Sequence, residues 1–199
     1  MRNYSKIGIL GGSFNPIHIG HTAVAQMAAE ELNLDLILFV PARVNPIKEV
    51  PFEVTNEQRC SMIKRAIAGN DLFELWEKEL TMPVPSYTIN TIEKLFTEFL
   101  VKEWYFLIGS DNLPQFTQWY RWAELIQKIK LAVCERPNFS LKIPQIAPSE
   151  RIVCFEGPNW GISSSLIRKR LKENKSCRYL LDKNVYEFIE KEKLYGTKN

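Results

Sequence analysis

The residues of this chain that are best suited to chemistry lie in one short segment near its beginning, GGSFNPIHIGH at 11–21. The segment contains both histidines of the chain, His18 and His21, whose spacing of three places them on one face of a helical turn. Gly11 and Gly12 carry no Cβ, so nearby backbone N–H groups can approach a ligand closely. Two imidazoles, bare amides and a predicted helix start favour a bound anion, and together they predict a triphosphate site.

The histidine pair could instead ligate a metal, or it could have a structural role in a cap or the core. A metal site needs further ligands at suitable spacing. The chain has no third histidine, and its cysteines form no CxxC pair; they are Cys60, Cys134, Cys154 and Cys177. We therefore favour phosphates and predict no metal bound by protein side chains. The segment matches neither GxGxxG nor GxxxxGK[ST], which disfavours a dehydrogenase and a P-loop enzyme.

A second candidate anion site is found much later in the chain, in the segment ISSSLIR at 162–168. Serine hydroxyls and amides at a helix start can bind an anion, and Arg168, one turn further on, could reach the same anion with its planar group of donors. The segment could equally be an ordinary N-cap followed by a basic helix that faces solvent. On these residues alone both interpretations stay open.

Strands and helices alternate along the chain. An apolar strand at 6–10 precedes the glycines, a helix follows from about 19 to 32, and a continuous apolar strand covers 36–40. This βαβ unit implies a parallel sheet. Further strands are predicted at 73–76, 104–108, 130–134 and 151–155, and further helices at 55–68, 87–100, 120–129, 164–172 and 184–192. We expect an α/β fold, a doubly wound parallel sheet with C-terminal helices, that binds ligands outside the carboxyl ends of its strands.

Composition limits the classes of protein to which the chain can belong. Its 199 residues are 45% hydrophobic and 25% charged, which is typical of a globular protein, and we expect a single domain over 1–199. A net charge of +3 is small for a dedicated nucleic-acid binder, so no nucleic-acid partner is predicted. No apolar run approaches the ~20 residues of a membrane span, and no secretory signal precedes the first strand. The scattered cysteines favour free thiols in a reducing cytoplasm.

Both anion-binding segments resemble motifs of the nucleotidyltransferase superfamily. The first is similar to (T/S)-x-F-x-P-x-H-x-G-H, and the second to I-S-S-T-x-I-R, with Ser165 in the place of threonine. The resemblance implies a Rossmann-like nucleotidyltransferase fold, with His18 on the triphosphate and His21 stabilising charge at the α-phosphate; with Arg168 they form the implied catalytic set. The residues that these two motifs imply for ATP binding are Gly11, Gly12, Ser13, Phe14, Ile162, Ser163 and Ser164.

Three further segments resemble the nicotinate-mononucleotide adenylyltransferases within that superfamily. IGSD at 108–111 is similar to their I-G-x-D, which implies that Gly109 and Asp111 contact ATP, although Asp111 could instead be an N-cap. QWYRW at 118–122 resembles their W-Y/H-x-W, where the pyridine ring is held, and SYT at 86–88 resembles their S-Y-T. The residues implied to bind the mononucleotide are Ser86, Tyr87, Thr88, Trp119 and Tyr120, whereas Trp122 and Leu125 are expected in the core.

The chain departs from that family's pattern in three places. NPIK at 45–48 stands where P-P-H-(K/R) is usual, so only Lys48 is carried over, as an ATP-binding residue. Asn15 replaces a common aspartate, and ERPN at 135–138 replaces A-R-P-G.

The reaction that the resemblance implies is adenylyl transfer from ATP, with Mg²⁺, to nicotinate mononucleotide, giving deamido-NAD and pyrophosphate in NAD biosynthesis. A phosphate monoester is mostly dianionic at neutral pH, because its second pKa is about 6, and as a nucleophile it needs no general base. The protein must supply alignment and neutralisation of charge. Transferases that act on phosphopantetheine or CTP, and a non-catalytic nucleotide sensor, are the alternatives. Between the two pyridine mononucleotides, we expect the acid to be preferred to the amide.

Overall fold

The computed structural model describes residues 3–43, 53–135, 148–158 and 160–197. These residues form one sheet whose strands all run parallel, in the order β3-β2-β1-β4-β5-β6. The strands are β1 (Asn3–Gly12), β2 (Leu36–Pro41), β3 (Phe73–Leu75), β4 (Leu100–Gly109), β5 (Lys130–Glu135) and β6 (Ile152–Glu156). The sheet confirms the predicted α/β fold.

The helices follow the strands in the predicted alternation and end in the expected C-terminal pair. They are α1 (Ile19–Leu32), α2 (Asn56–Ala66), α3 (Thr88–Phe96), α4 (Trp122–Lys128), α5 (Ser164–Lys172) and α6 (Lys183–Lys191). A capping box begins α2: the Gln58 N–H donates to Thr55 Oγ1 at 3.2 Å, and the Thr55 N–H donates back to Gln58 Oε1 at 2.9 Å. None of the helices in the described ranges is both long and apolar enough to cross a bilayer.

Each face of the sheet has its own hydrophobic core. In β2, Ile37 and Phe39 pack with α1, α2, α5 and α6, while Leu36, Leu38 and Val40 pack on the opposite face with α3 and α4. A strand buried on both faces is apolar at every position, which is why the sequence of β2 is continuous rather than alternating. The two cores make the sheet doubly wound.

Two predicted helix boundaries are wrong. The helix predicted to reach Leu100 ends at Phe96, because Leu100 already belongs to β4 and pairs with Asn3 of β1. The helix predicted from 120 begins at Trp122, since residues 113–118 form a short 3₁₀ helix and Arg121 has a left-handed backbone with φ of 52°. Most of the residues at 41–51 and 137–148 fall outside the described ranges.

The topology opens a crevice between β1 and β4. Beyond its carboxyl end, β1 is followed by α1 on one face, whereas β4 is followed by α4 on the other. In open parallel sheets, ligands bind at the point where neighbouring strands send their connections to opposite faces. The segments at 11–21 and 109–122 both begin at this point.

Candidate active site

The two glycines of the first segment lie inside β1 and form no turn of their own. Gly11 and Gly12 pair in register with Val40 and Pro41 of β2. A Cβ on Gly12 would lie 3.2 Å from the Phe14 ring, and one on Gly11 would lie 3.2 Å from the ring of Phe106. The strand predicted at 6–10 therefore extends through both glycines. The glycines let two aromatic rings pack closely against the end of the strand, and the loop proper begins at Ser13.

His18 and His21 meet at the beginning of α1, as their spacing predicted. His18 is the N-cap residue and is buried, and the two imidazole rings stack with centroids 3.7 Å apart. The backbone N–H of His18 donates to Nδ1 of His21 at 3.2 Å. Because Nδ1 accepts this bond, the proton of the neutral ring is on Nε2, which makes His21 Nε2 a hydrogen-bond donor. A Cβ on Gly20 would lie 3.1 Å from His18 Nδ1, so glycine keeps room for that ring.

Phe14, predicted to bind ATP, has its side chain in the core. The residue is 1% exposed, and its ring meets the His21 ring edge-on with centroids 5.1 Å apart. Its backbone has φ of 43°, a region that side chains with a Cβ rarely adopt. Phe14 can therefore offer ATP only its backbone, while its ring supports His21.

The second segment packs directly against the first. The Ser164 hydroxyl donates to the Pro16 carbonyl at 2.8 Å, and Arg168 Nη1 donates to the Asn15 carbonyl at 2.7 Å. Ser163 is the N-cap of α5, where its hydroxyl accepts from the Leu166 N–H at 3.1 Å. Ser163 is therefore an N-cap residue, as the alternative interpretation of this segment held. Ser164 and Arg168, both predicted to bind an anion, also join α5 to the loop between β1 and α1, residues 13–18, which we call the histidine loop. Ile162 is half-buried just before the cap.

The end of β4 contributes the third predicted nucleotide contact. Gly109 is the last residue of the strand and pairs with Cys134, and the Ser110 N–H donates to the Cys134 carbonyl at 2.9 Å. Asp111 is half-buried and accepts from the Asn112 amide at 3.3 Å. Asn112, not Asp111, is the N-cap residue of the 3₁₀ helix that follows. The alternative in which Asp111 is an N-cap is therefore wrong.

The residues predicted to bind the mononucleotide form an aromatic pair from two separate segments. Tyr87 and Tyr120 stack with ring centroids 4.3 Å apart and planes 27° from parallel, and Tyr120 is 52% exposed. Trp119 is half-buried against Phe106 and Phe116. Tyr87 and Tyr120 thus offer an accessible aromatic surface, which is suited to a pyridine ring. Leu125 lies in the core as expected, and Trp122 packs at its edge.

Glu79 orders the segment that leads to Tyr87, and no pattern in the sequence indicated it. Its carboxylate is 7% exposed and accepts hydrogen bonds from the hydroxyls of Thr91, at 2.5 Å, and Ser86. Burial raises the pKa of Glu79 above its usual range. Arg43 donates to the Met82 carbonyl at 2.7 Å in the same segment. Ser86, a predicted ligand, is therefore tied to the protein, and Thr88 follows as the first residue of α3.

Two further buried polar residues reach the histidine loop without having been predicted. Arg59 of α2 donates to the Ser13 carbonyl at 2.8 Å, and the Tyr195 hydroxyl donates to Asn15 Oδ1 at 2.7 Å. In the sequence both residues lie far from the loop, in segments that resemble none of the motifs described above. Lys48 lies outside the described residues. Within them, no group of three or more His, Cys, Asp or Glu side chains could bind a metal ion.

Comparison with known proteins connects this geometry to one family of enzymes. The model of the cytidylyltransferase-like family matches residues 9–170. A protein of Caldicellulosiruptor saccharolyticus named "Probable nicotinate-nucleotide adenylyltransferase" is 38% identical over 96% of this chain and 98% of its own. One of Geobacillus kaustophilus with the same name is 36% identical over 97% of this chain and 87% of its own.

A solved structure shares the fold over nearly its full length. The nicotinic acid mononucleotide adenylyltransferase of Plasmodium falciparum, complexed with NaAD, has a TM-score of 0.76 at 22% identity, covering 98% of this chain and 99% of its own. At that identity the likeness concerns the fold, and it agrees with the sheet order described above.

Proposed function

This chain belongs to the nicotinate-nucleotide adenylyltransferase family, and on that premise we propose that it transfers the adenylyl group of ATP to nicotinate mononucleotide at the crevice between β1 and β4. The products are deamido-NAD and pyrophosphate. One observation carries the assignment of residues: Ser164 and Arg168 bond to the loop that ends in His18 and His21. The two segments suited to phosphate therefore form one site.

The chemistry requires alignment more than proton transfer. An oxygen of the mononucleotide 5′-phosphate attacks the α-phosphorus of ATP, and the bond from that phosphorus to the bridging oxygen of pyrophosphate breaks. The attacking phosphate is already ionised at neutral pH, since its second pKa is about 6. His21 Nε2–H meets the charge that develops on the α-phosphate, and His18 and Arg168 bind the triphosphate.

The remaining ligands divide by the strand that they follow. The amides at the end of β1 and in the first residues of the loop that follows bind ATP together with the start of α5; these ligands are Gly11, Gly12, Ser13, Phe14, Ile162, Ser163 and Ser164. Gly109 and Asp111 contact ATP after β4, and Lys48, which lies outside the described residues, is a further proposed ATP ligand. The pyridine ring lies against Tyr87 and Tyr120, with Ser86, Thr88 and Trp119 beside it.

Mg²⁺ is the metal we propose for this reaction, entering with ATP. Mg²⁺ commonly binds substrate phosphates and keeps several waters, with only one or two protein carboxylates. That mode suits the proposed ATP ligands, among which Asp111 alone carries a carboxylate, and no group of three or more His, Cys, Asp or Glu side chains in the described residues could bind a metal ion. When bound, the ion neutralises phosphate charge.

We further propose that the chain is a single domain that works in a reducing cytoplasm. No disulfide joins Cys60, Cys134, Cys154 or Cys177, all of which lie in the described residues, and this suits that compartment. The two cores lie on opposite faces of one continuous sheet, which suits one cooperative unit.

Product analysis of the purified chain tests the function directly. With ATP, Mg²⁺ and nicotinate mononucleotide we expect equal molar amounts of pyrophosphate and deamido-NAD, and no turnover after chelation of the metal. Parallel reactions replace ATP by CTP, or the mononucleotide by phosphopantetheine. Turnover with either replacement but not with the proposed pair would overturn the assignment.

A further inference from the structure

The loop between β1 and α1 is fastened to the rest of the protein through its oxygen atoms. Four oxygens of three residues in this loop, Ser13, Asn15 and Pro16, accept hydrogen bonds from side chains of other elements. The donors are Arg59 to the Ser13 carbonyl, Arg168 to the Asn15 carbonyl, Tyr195 to Asn15 Oδ1 and Ser164 to the Pro16 carbonyl. Two of these donors, Ser164 and Arg168, belong to the family's motifs, and the other two do not.

We propose that Arg59 and Tyr195 are positioning residues for the nucleotide: they hold the loop at 13–15 so that its backbone amides point toward the phosphates of ATP. This inference rests on the proposed function, in which the segment at 11–14 binds those phosphates. Neither side chain is assigned a contact with substrate.

Arg59 controls the direction of one peptide group. Its side chain is fully buried, with Nη1 donating to the Ser13 carbonyl at 2.8 Å and Nη2 to Asn56 Oδ1 at 2.6 Å. The peptide between Ser13 and Phe14 is trans, so its N–H points away from its carbonyl. Fixing the Ser13 oxygen against Arg59 therefore fixes the Phe14 N–H on the opposite side. Burial lowers the pKa of the Arg59 guanidinium, but arginine remains charged in proteins and adds positive potential next to the loop.

Tyr195 acts on the next residue of the loop. It is 4% exposed, and its hydroxyl donates to Asn15 Oδ1 at 2.7 Å across 180 positions of sequence. Burial raises the pKa of this hydroxyl above its ordinary value, so it remains a donor at all working pH. Asn15 is itself only 6% exposed, and the hydrogen bond from Tyr195 fixes the orientation of its side-chain amide.

The backbone of the loop explains why such restraints are required. Phe14 has φ of 43°, a left-handed conformation that a residue with a Cβ adopts only where its surroundings impose it. Arg59 bonds to the residue before Phe14 and Tyr195 to the residue after it. The two donors thus bracket the strained position, whose amide would otherwise relax away from the nucleotide.

Steady-state kinetics with conservative variants separates positioning from stability. Tyr195→Phe removes only the hydroxyl, and we expect kcat/KM for ATP to fall about 5- to 10-fold. Arg59→Lys should lower it about 10-fold and Arg59→Met about 100-fold, since a bond from a charged donor is stronger and methionine supplies none. The KM for nicotinate mononucleotide should change by less than about twofold in each variant, because only one hydrogen bond to the ATP loop is altered.

Matched controls lose comparable bonds elsewhere. Tyr105→Phe removes a buried tyrosine hydroxyl that donates to Glu103 at 2.6 Å, and Arg65→Lys alters an arginine of the same helix that bonds to the Ser61 carbonyl at 3.0 Å. We expect both to lower the melting temperature about as much as their counterparts while kcat/KM for ATP stays unchanged. If the Arg59 variants do not fold, kcat/KM for ATP of the Tyr195→Phe variant alone tests the positioning role.

Two outcomes would overturn the proposal: folded variants with kcat/KM for ATP within twofold of the parent, or equal losses toward both substrates that follow the melting temperature. The ATP dissociation constant, measured by calorimetry, makes the same comparison without turnover. A parent that binds ATP but forms no deamido-NAD would refute the proposed function, and the variants would still report on the loop.

Discussion

At the scale of single residues, the hydrogen bond to His21 determines which of its nitrogen atoms can meet a phosphate. Nδ1 accepts from the His18 N–H at 3.2 Å, so Nε2 is the donor and the ring is neutral in this arrangement. The spacing of the histidines predicted that the two rings share one helical face. The N-cap geometry of His18 adds the hydrogen bond that orients the His21 ring, and sequence spacing does not contain that constraint.

Removing His21 should slow the chemical step much more than it weakens ATP binding. We expect His21→Ala to lower kcat by about 10²–10³, because one donor directed at charge that develops in the transition state has this effect, while KM for ATP changes little. His21→Gln, whose amide nitrogen can stand near the position of Nε2, should retain more activity than His21→Asn. Near-normal turnover of the alanine variant, or the reverse order of the two amides, would exclude this role.

Arg168 is expected to have the opposite kinetic signature. Its guanidinium contacts the loop through the Asn15 carbonyl and would bind ATP in the ground state, so Arg168→Ala should mainly raise the KM for ATP. Lys169→Ala is the control, since it removes a neighbouring charge from the exposed face of the same helix. An unchanged KM for ATP in the Arg168 variant would place that side chain in a structural role only.

At the scale of elements, the sequence predicted those helix bounds that depend on residues close together in the chain. The bounds of α1 and α5 agree with those predicted, 19–32 and 164–172. The end of α3 was predicted too late because Phe96, Phe99 and Leu100 fit a helical spacing equally well. Leu100 belongs to β4 because it pairs with Asn3, 97 positions earlier in the chain. A pattern of neighbouring residues cannot predict such a long-range contact.

The Glu98 carboxylate, two residues after α3, accepts hydrogen bonds from Trp76 and Lys78, and its contribution to the free energy of unfolding depends on pH. Burial alone would raise its pKa, but hydrogen bonds from Lys78 and Trp76 outweigh burial and hold the pKa below its usual range. A carboxylate with a lowered pKa stabilises the fold above its unfolded pKa, and this stabilisation is lost as pH falls through the folded value. Below that pH, Glu98 is protonated in both the folded and the unfolded protein, so its ionisation no longer contributes to the free energy of unfolding.

We therefore expect Glu98→Gln to lower the free energy of unfolding by about 1 kcal/mol at pH 7. The difference from the parent should shrink once the pH falls below about 4. Denaturant titrations at pH 7 and pH 3.5 measure it. Glu93→Gln, which alters an exposed ion pair with Arg121, should change stability little at either pH. A loss for Glu98→Gln that is the same at both pH values would contradict the linkage.

At the scale of the whole molecule, the site exists only because distant parts of the chain converge on one edge of the sheet. Motif residues could be predicted from the sequence, since their types and spacing imply phosphate chemistry. Arg59 and Tyr195 could not, because an arginine in an amphipathic helix and a tyrosine near the C-terminus have many ordinary roles. Their contacts with the loop, 46 and 180 positions away, depend on the packing of α2 against α6 and of the C-terminal segment against α5 and α6.

Substrate choice also depends on this convergence, and we expect nicotinate mononucleotide to be preferred to the amide form by at least about 100-fold in kcat/KM. Arg121, the cation closest in sequence to the tyrosine pair, is engaged by Glu124 at 2.8 Å and Glu93 at 3.1 Å. The extra carboxylate of nicotinate would therefore rest on backbone amides at the start of α3. There Tyr87, the N-cap residue, makes no side-chain cap bond.

The amide form would turn an NH₂ group toward those N–H donors and leave them unpaired, which is the kind of mismatch that binding sites reject most strongly. Catalytic efficiencies on the two mononucleotides, measured at saturating ATP, test the preference. Glu93→Gln is an informative companion: freeing Arg121 from one of its partners should leave the preference for the acid intact or strengthen it. Equal efficiencies in the parent, or a preference for the amide, would mean that donors at the start of α3 do not select the substrate.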